Sequence, residues 1–255
     1  MALQEFLANT QVFTSHDIAR AFPDSQTDRN LLTRAVQRGG VERVRRGLYV
    51  SKTGPFSHTR TDPFDIANAV AADATFCLMS ALQLQGVSHD LVNRIQFYSH
   101  QHISPFGYDG FAYEPHRLNG QGIATQSVFT SSGKVFQATT REQTLVDCLV
   151  QLTAAGGPEH LLRSLSGFTF LDAATAVRLT DSASLTVKAR LGWVLEAKRE
   201  DWQVADGVLA SLQDALGGGP YYFYSSASPR DQYWVKRWKL YLPYPEQEMH
   251  SWLNL

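Results

Sequence analysis

Cysteine, long apolar runs and net charge are all scarce in this sequence, and each scarcity excludes something. Only two cysteines occur in 255 residues. Cys77 and Cys148 sit inside apolar segments without CxxC or Cys/His spacing, which leaves no basis for a disulfide framework or a structural zinc site. No stretch approaches the roughly 18 consecutive apolar residues of a membrane helix. Residues 1–20 carry Glu5, Asp17 and Arg20 where a secretion signal needs an unbroken apolar run, so a cytoplasmic protein without a membrane partner is expected. Charge is nearly balanced, with 23 Lys and Arg against 24 Asp and Glu, and hydrophobic residues make up 44%. That composition excludes a disordered, collagenous or highly basic chromatin-type chain. No internal repeat is visible, and the length suits one large domain or a small one joined to a medium one.

The balance hides an asymmetry. Residues 1–52 are formally +3 and residues 53–255 are −4, and within 29–52 seven basic residues face Glu42 alone, a formal +6. A short basic segment beside an acidic remainder is the footprint of a phosphate-binding surface.

The apolar pattern under that charge predicts three helices and a hairpin. Leu3, Phe6 and Leu7 mark the first helix. Thr14 or Ser15 can cap a second, over 16–22, that buries Ile18, Ala19 and Phe22 before Pro23 ends it. A third, over 27–38, places Leu31, Leu32, Ala35 and Val36 on one stripe. Strands over 41–44 and 48–50 follow, joined at Arg45-Arg46-Gly47. This order predicts a winged helix-turn-helix over residues 1–54. Arg pairs with guanine and Asn or Gln with adenine in a major groove, so the expected DNA contacts are Thr27, Arg29, Asn30, Thr33, Arg34, Gln37 and Arg38 on the third helix. Arg43, Arg45 and Arg46 on the wing add contacts to phosphate or the minor groove. Double-stranded promoter DNA is the expected partner, bound by a monomer or by a weak dimer cooperative on DNA.

Thr53-Gly54-Pro55 reads as a linker to a larger mixed α/β part over 55–255, which is expected to fold without the head. Asp62-Pro63 opens a helix to Ala71, and strands are expected at 75–78, 95–98, 111–113, 123–130 and 135–136. Near 139 the character turns helical, because Thr139-x-x-Glu142 has the form of a capping box, and a break there would divide the larger part into two lobes. A final β region covers 221–224 and 233–242. The fold class expected for the whole is α+β.

Several segments in order resemble the AbiEi-type antitoxins, the regulator half of type IV toxin–antitoxin and abortive-infection modules. Phe13-Thr14-Ser15-His16-Asp17-Ile18 and Val44-Arg45-Arg46-Gly47-Leu48-Tyr49-Val50 look like that family's winged-helix head. Ser80-Ala81-Leu82 before Gly86, Arg141 to Asp147, Gly156-Gly157-Pro158-Glu159, and Arg190-Leu191-Gly192 before Glu196 are similar to its later short motifs. Gln143 departs from the family, which more often has Arg there, and 221–255 match poorly. The resemblance implies a phage-defence regulator whose head represses its own operon at promoter inverted repeats. It implies that the larger part opposes a nucleotidyltransferase-like toxin without a stable complex.

An enzyme reading competes. Glu196-Ala197-Lys198 after apolar residues has the form of a PD-(D/E)xK nuclease's metal carboxylate and lysine, with Asp172 and Asp181 as upstream acids. That chemistry needs both side chains on one face of a strand. Val187, Leu191, Val194 and Leu195 are spaced as on a helix, which turns Glu196 and Lys198 about 200° apart, so no enzyme, cofactor or metal is expected. His100, His102 and His116 lack a completing ligand and read as surface histidines, and Gly217-Gly218-Gly219-Pro220 as a turn. The aromatic and basic run from Tyr221 to Lys239 has the residue types that stack on single-stranded nucleic acid, but its alternation equally describes a half-buried strand.

Overall fold

A computed structural model describes residues 3–23, 26–118, 120, 122–224 and 232–254. Helices and strands are mixed along its whole length, an α+β architecture, and the chain divides into two compact units. Unit 1 holds Met1–Ala74 and Asn93–Asn119; unit 2 holds Thr75–Val92 and Gly120–Leu255. Unit 1 begins with α1 (Leu3–Asn9), β1 (Val12–Thr14), α2 (Ser15–Ala21), α3 (Gln26–Gln37), β2 (Val41–Arg45), β3 (Leu48–Ser51) and α4 (Pro63–Val70). The chain enters unit 2 for β4 (Thr75–Phe76) and α5 (Leu78–Leu84), and returns for β5 (Arg94–Ser99), β6 (Phe106–Tyr108) and β7 (Phe111–Arg117). Unit 2 then continues through β8 (Thr125–Phe129), β9 (Val135–Thr139), α6 (Arg141–Val150), α7 (Gly157–Leu165), α8 (Ala173–Arg178), α9 (Leu185–Ala197) and α10 (Asp206–Ala215). It closes with β10 (Tyr221–Tyr222), β11 (Tyr233–Val235), β12 (Leu240–Leu242) and α11 (Glu246–Leu253). Among the described residues, no helix is long and apolar enough to cross a membrane.

The first core of unit 1 follows the expected stripes except at Ala19, which is exposed, and Leu31 lies outside the described side chains. Leu3, Phe6 and Leu7 of α1 close on Phe13, Ile18, Leu32 and Val41, and Phe6 meets the rings of Phe13 and Phe22 edge-on. Removing such side chains from water supplies most of the stabilisation available to a small unit. Thr14 caps α2. The strand β1 was not expected, since three residues are too few to show a period of two. It nevertheless pairs with β3, which pairs with β2, all antiparallel.

Unit 1 does not end at the expected linker, which forms a single 3-10 turn, Gly54–Phe56. The Gln11 side chain reaches over to the hydroxyls of Thr59 and Thr61 at 3.3 and 3.4 Å. Asp62 then caps α4 through the Phe64 amide at 3.0 Å. Phe64, Ile66 and Ala67 are buried, and α4 packs on β1. Chain beyond residue 54 therefore completes the unit that the charge pattern had assigned to 1–54 alone. In β5 to β7, β7 lies between the other two, parallel to β5 and antiparallel to β6. The tight turn between β6 and β7 is Asp109-Gly110, both left-handed at φ 48° and 80°, the geometry that an Asp-Gly hairpin turn supplies.

In unit 2, β9 lies between β4, to which it is parallel, and β8, to which it is antiparallel. No unit boundary falls at 139. Gln85 bonds both the Thr139 carbonyl, at 2.8 Å, and the Thr144 hydroxyl, at 3.1 Å, and so ties the end of β9 to α6. The cap of α6 is Thr140, whose hydroxyl accepts from the Gln143 amide. Thr139 still belongs to the strand, so the expected capping box does not form: the cap falls one residue later and is one-sided, and the Glu142 carboxylate instead accepts from the Asp172 amide at 3.1 Å. Trp193, Trp202 and Trp238 are fully buried. Each indole N–H has a partner, as buried indoles require: Glu246, the Phe168 carbonyl and Glu196, respectively.

Candidate nucleic-acid interface

The basic side chains of the head lie on α3 and on the β2–β3 hairpin. Burial of Leu32 turns the opposite side of α3 outward, where Asn30, Thr33, Arg34, Gln37 and Arg38 are exposed. Thr27 and Arg29 lie outside the described side chains. The helix ends at Gly39, left-handed at φ 75°, with amides of Gly39 and Gly40 returning to the carbonyls of Val36 and Ala35; this is a helix end that glycine favours. The chain enters β2 directly, where Arg43 is exposed. Gly47, at φ 81°, makes the hairpin turn, and its carbonyl accepts from the Ser15 amide at 2.8 Å. That bond ties the turn to the start of α2 and leaves Arg46 exposed beside it.

Arg45 departs from the expected exposure. It is half-buried, its guanidinium lies 4.9 Å from the centre of the Phe106 ring, and it donates to the Ser104 carbonyl. Phe106 is itself stacked on Tyr113 at 4.5 Å. Nearby, the Tyr108 hydroxyl donates to Glu42 at 2.6 Å, and Glu42 also meets Lys52 at 3.6 Å. Burial pushes the Tyr108 phenol well above its ordinary range, and the Glu42 carboxylate pushes it further. The formal +6 of residues 29–52, which already counts Glu42, is thus redistributed at the surface. Lys52 is paired and Arg45 is turned onto a ring, whereas no ion pair among the described residues engages Arg34, Arg38, Arg43 or Arg46. Phe106 and Tyr108 are the residues that sequence reasoning missed. The Asp109-Gly110 turn would have revealed their hairpin, but nothing in the sequence tells that it packs on the β2–β3 hairpin some sixty positions earlier.

The enzyme reading meets different geometry. Glu196 lies in α9 and Lys198 just past its end. The Glu196 carboxylate is held by Arg237 and, at 2.5 Å, by the indole of Trp238. Lys198 is buried against Asp201 and donates to the Leu253 carbonyl at 3.0 Å. The two point to different partners, as the helical spacing predicts. Asp172 caps α8 through Thr175, and Asp181 is exposed. Among the described residues no three His, Cys, Asp or Glu side chains converge. His100 and His102 are exposed, but His116 is half-buried edge-on to Tyr98. It is not the surface residue expected: burial lowers its pKa, and Glu114 opposes that only in part.

The chain is similar in fold to the RV2827C protein from Mycobacterium tuberculosis. That crystal structure matches with a TM-score of 0.69 over 94% of this chain and 89% of that one, at 15% sequence identity. No family model and no curated protein matches the chain.

Proposed function

We propose that this protein is a DNA-binding transcriptional regulator that reads duplex promoter DNA through α3 and braces on the backbone through the β2–β3 hairpin. The observation that carries the reading is the outward set Asn30, Arg34, Gln37, Arg38, Arg43 and Arg46, exposed and without ion pairs among the described residues. The order helix, strand, helix, helix, strand, strand, with the first strand paired to the last, supports reading the head as a winged helix-turn-helix. In such a head the second helix of the turn enters the major groove. Asn30 and Gln37 have the donor and acceptor pattern that reads adenine, and Arg34 the fork that reads guanine. Arg43 and Arg46 are placed for phosphate, and Arg45 serves the internal packing of the wing. With the resemblance to AbiEi-type antitoxins, the reading extends to autorepression of an operon and to antagonism of a nucleotidyltransferase-like toxin by the rest of the chain.

The test is binding of the full chain to its own promoter duplex across a salt series. Four exposed arginines should give a slope of log K against log salt of about −3 to −4. Arg43→Ala with Arg46→Ala should weaken binding to every duplex and flatten that slope by roughly 2. Gln37→Ala should instead cost about 1–3 kcal/mol on the cognate site alone. Promoter binding unchanged in all these variants would overturn the assignment of α3 as the reader. The antitoxin half is tested by co-expression with the reading frame adjacent to this gene: rescue of growth supports it, and no rescue removes it.

A further inference from the structure

The small sheet near the end of unit 2 presents two unlike faces. On one, Tyr221, Leu240 and Leu242 are buried. On the other, Tyr222 and Trp234 both stand opposite Tyr241 in the strand register, on its two sides. The three rings form one row. Tyr222 stacks on Tyr241 at 5.4 Å and 23°, and Trp234 meets Tyr241 at 4.8 Å. Tyr222 is 40% exposed and Trp234 is 47% exposed. Aromatic rings of this size are strongly favoured in a core or an interface, yet here they line up on the outside of a sheet.

A cation adjoins the row. Arg190 of α9 donates through Nε to the Tyr222 carbonyl at 3.0 Å and through Nη1 to the Leu149 carbonyl at 2.6 Å. It lines a cleft of about 320 Å3 with Gln151, Thr153 and Tyr224. Burial lowers its pKa to about 10, and among the described residues no carboxylate offsets that. A desolvated guanidinium with carbonyl partners but no anion is an incomplete pair, and its remaining donors suit a phosphate. The neighbouring segment 232–244 holds Lys236, Arg237 and Lys239 and no acidic residue. Arg237 is taken by Glu196 and Lys239 by the Gly217 carbonyl, which leaves Lys236 exposed.

We propose that this surface binds single-stranded nucleic acid, with two or three bases stacking on Tyr222, Tyr241 and Trp234 and a backbone phosphate entering the cleft to meet Arg190. Sheet aromatics that stack two or three unpaired bases are a recurrent way of holding a single strand, and the bond from Arg190 to the Tyr222 carbonyl links the cleft to the row. A purely apolar protein partner would leave Arg190 without its anion, and a duplex would keep its bases from the rings. The inference is independent of the head, because every residue it uses lies in unit 2.

The experiment measures fluorescence anisotropy of a labelled twelve-nucleotide mixed-sequence strand, as RNA and as DNA, with the full chain at low salt. A fully abasic strand of equal length serves as the control. The expected result is that at least one base-bearing strand binds about fivefold or more tighter than the abasic one, the preferred sugar identifying the natural strand. Trp234→Leu should weaken that binding about fivefold or more, Trp234→Phe should stay within about twofold of the parent, and Arg190→Gln should flatten the salt slope by about 0.7. Thermal melts of the Trp234 variants, both at an exposed position, should match the parent, and promoter-duplex binding should be unchanged. Equal binding of abasic and base-bearing strands, no binding of either sugar at 100 µM protein, or full binding by Trp234→Leu would each overturn the proposal.

Discussion

Thr14 and Asp17 close the start of α2 on each other. The Thr14 hydroxyl donates to Asp17 Oδ2 at 2.7 Å and accepts from the Asp17 amide at 3.2 Å, while the Thr14 amide donates to the same carboxylate at 2.8 Å. Partial burial works against the charge of Asp17, but the two hydrogen bonds from Thr14, with Arg20 nearby, outweigh it and hold the carboxyl below the usual aspartate value. The sign of the linkage follows. A carboxyl whose folded pKa is depressed contributes stability in full above its unfolded value of about 3.9, and that contribution is lost as pH falls through the folded value. Asp17→Asn should therefore flatten the acid limb of the melting temperature against pH. Thr14→Ala should cost about 1 kcal/mol and return the Asp17 titration, followed by NMR, towards the ordinary value. An acid limb unchanged in Asp17→Asn would show that other carboxylates carry it.

At the scale of elements, Gly192 shows why one helix needs a glycine in its middle. A Cβ at that position would lie 2.1 Å from Cζ3 of Trp238, and the ring cannot yield without losing its bond to Glu196. Gly192→Ala gains about 1 kcal/mol of helix propensity. Against this stand overpacking, about 1–3 kcal/mol, and a charge-assisted hydrogen bond of about 1.5–3 kcal/mol, so the net effect is destabilising. Denaturant unfolding should show a lower midpoint, with the loss removed when Trp238→Leu is combined with it; additive losses would mean that the two side chains do not conflict. The same helix shows what the sequence made legible. The stripe Val187, Leu191, Val194, Leu195 is visible in one dimension and correctly turned Glu196 from Lys198, but the Trp238 ring that Gly192 admits is contributed some forty positions later. Longer elements such as α3 and α4 were readable to within a residue or two, because stripes and caps are local. Strands β1 and β6, three residues each, were not, since a period of two needs more length and their partners are remote. For the candidate interface, the composition of the basic surface was legible; the capture of Arg45 by Phe106 and the pairing of Lys52 with Glu42 were not.

At the scale of the whole molecule, the path of the chain decides where it can be divided. The chain passes between the units after Ala74, after Val92 and after Asn119, so no single cut frees one unit from the other. A cut at residue 55, which the charge break and the glycine-proline turn had suggested, divides unit 1 internally. It would leave α4 with Phe64, Ile66 and Ala67, all buried in the intact chain, and without the β1 strand on which α4 packs. At roughly 25 cal/mol per Å2 of apolar surface returned to water, and with about 1–2 kcal/mol of backbone entropy for each residue that must stay ordered, that remnant loses the terms that balance. The fragment 56–255 is therefore expected to lose amide protection over 63–70 and 94–117 in hydrogen exchange while unit 2 keeps it in α6, α7 and α9. Protection in 63–70 equal to that of the intact chain would show that α4 does not depend on the head. If protection is lost as expected, failure of the fragment to oppose a toxin says nothing about where that activity resides. Under the proposed function, the two activities are then separated in the full chain: Arg34→Ala with Arg46→Ala should weaken promoter repression and leave rescue from a co-expressed toxin unchanged, and loss of both together would count against separate sites.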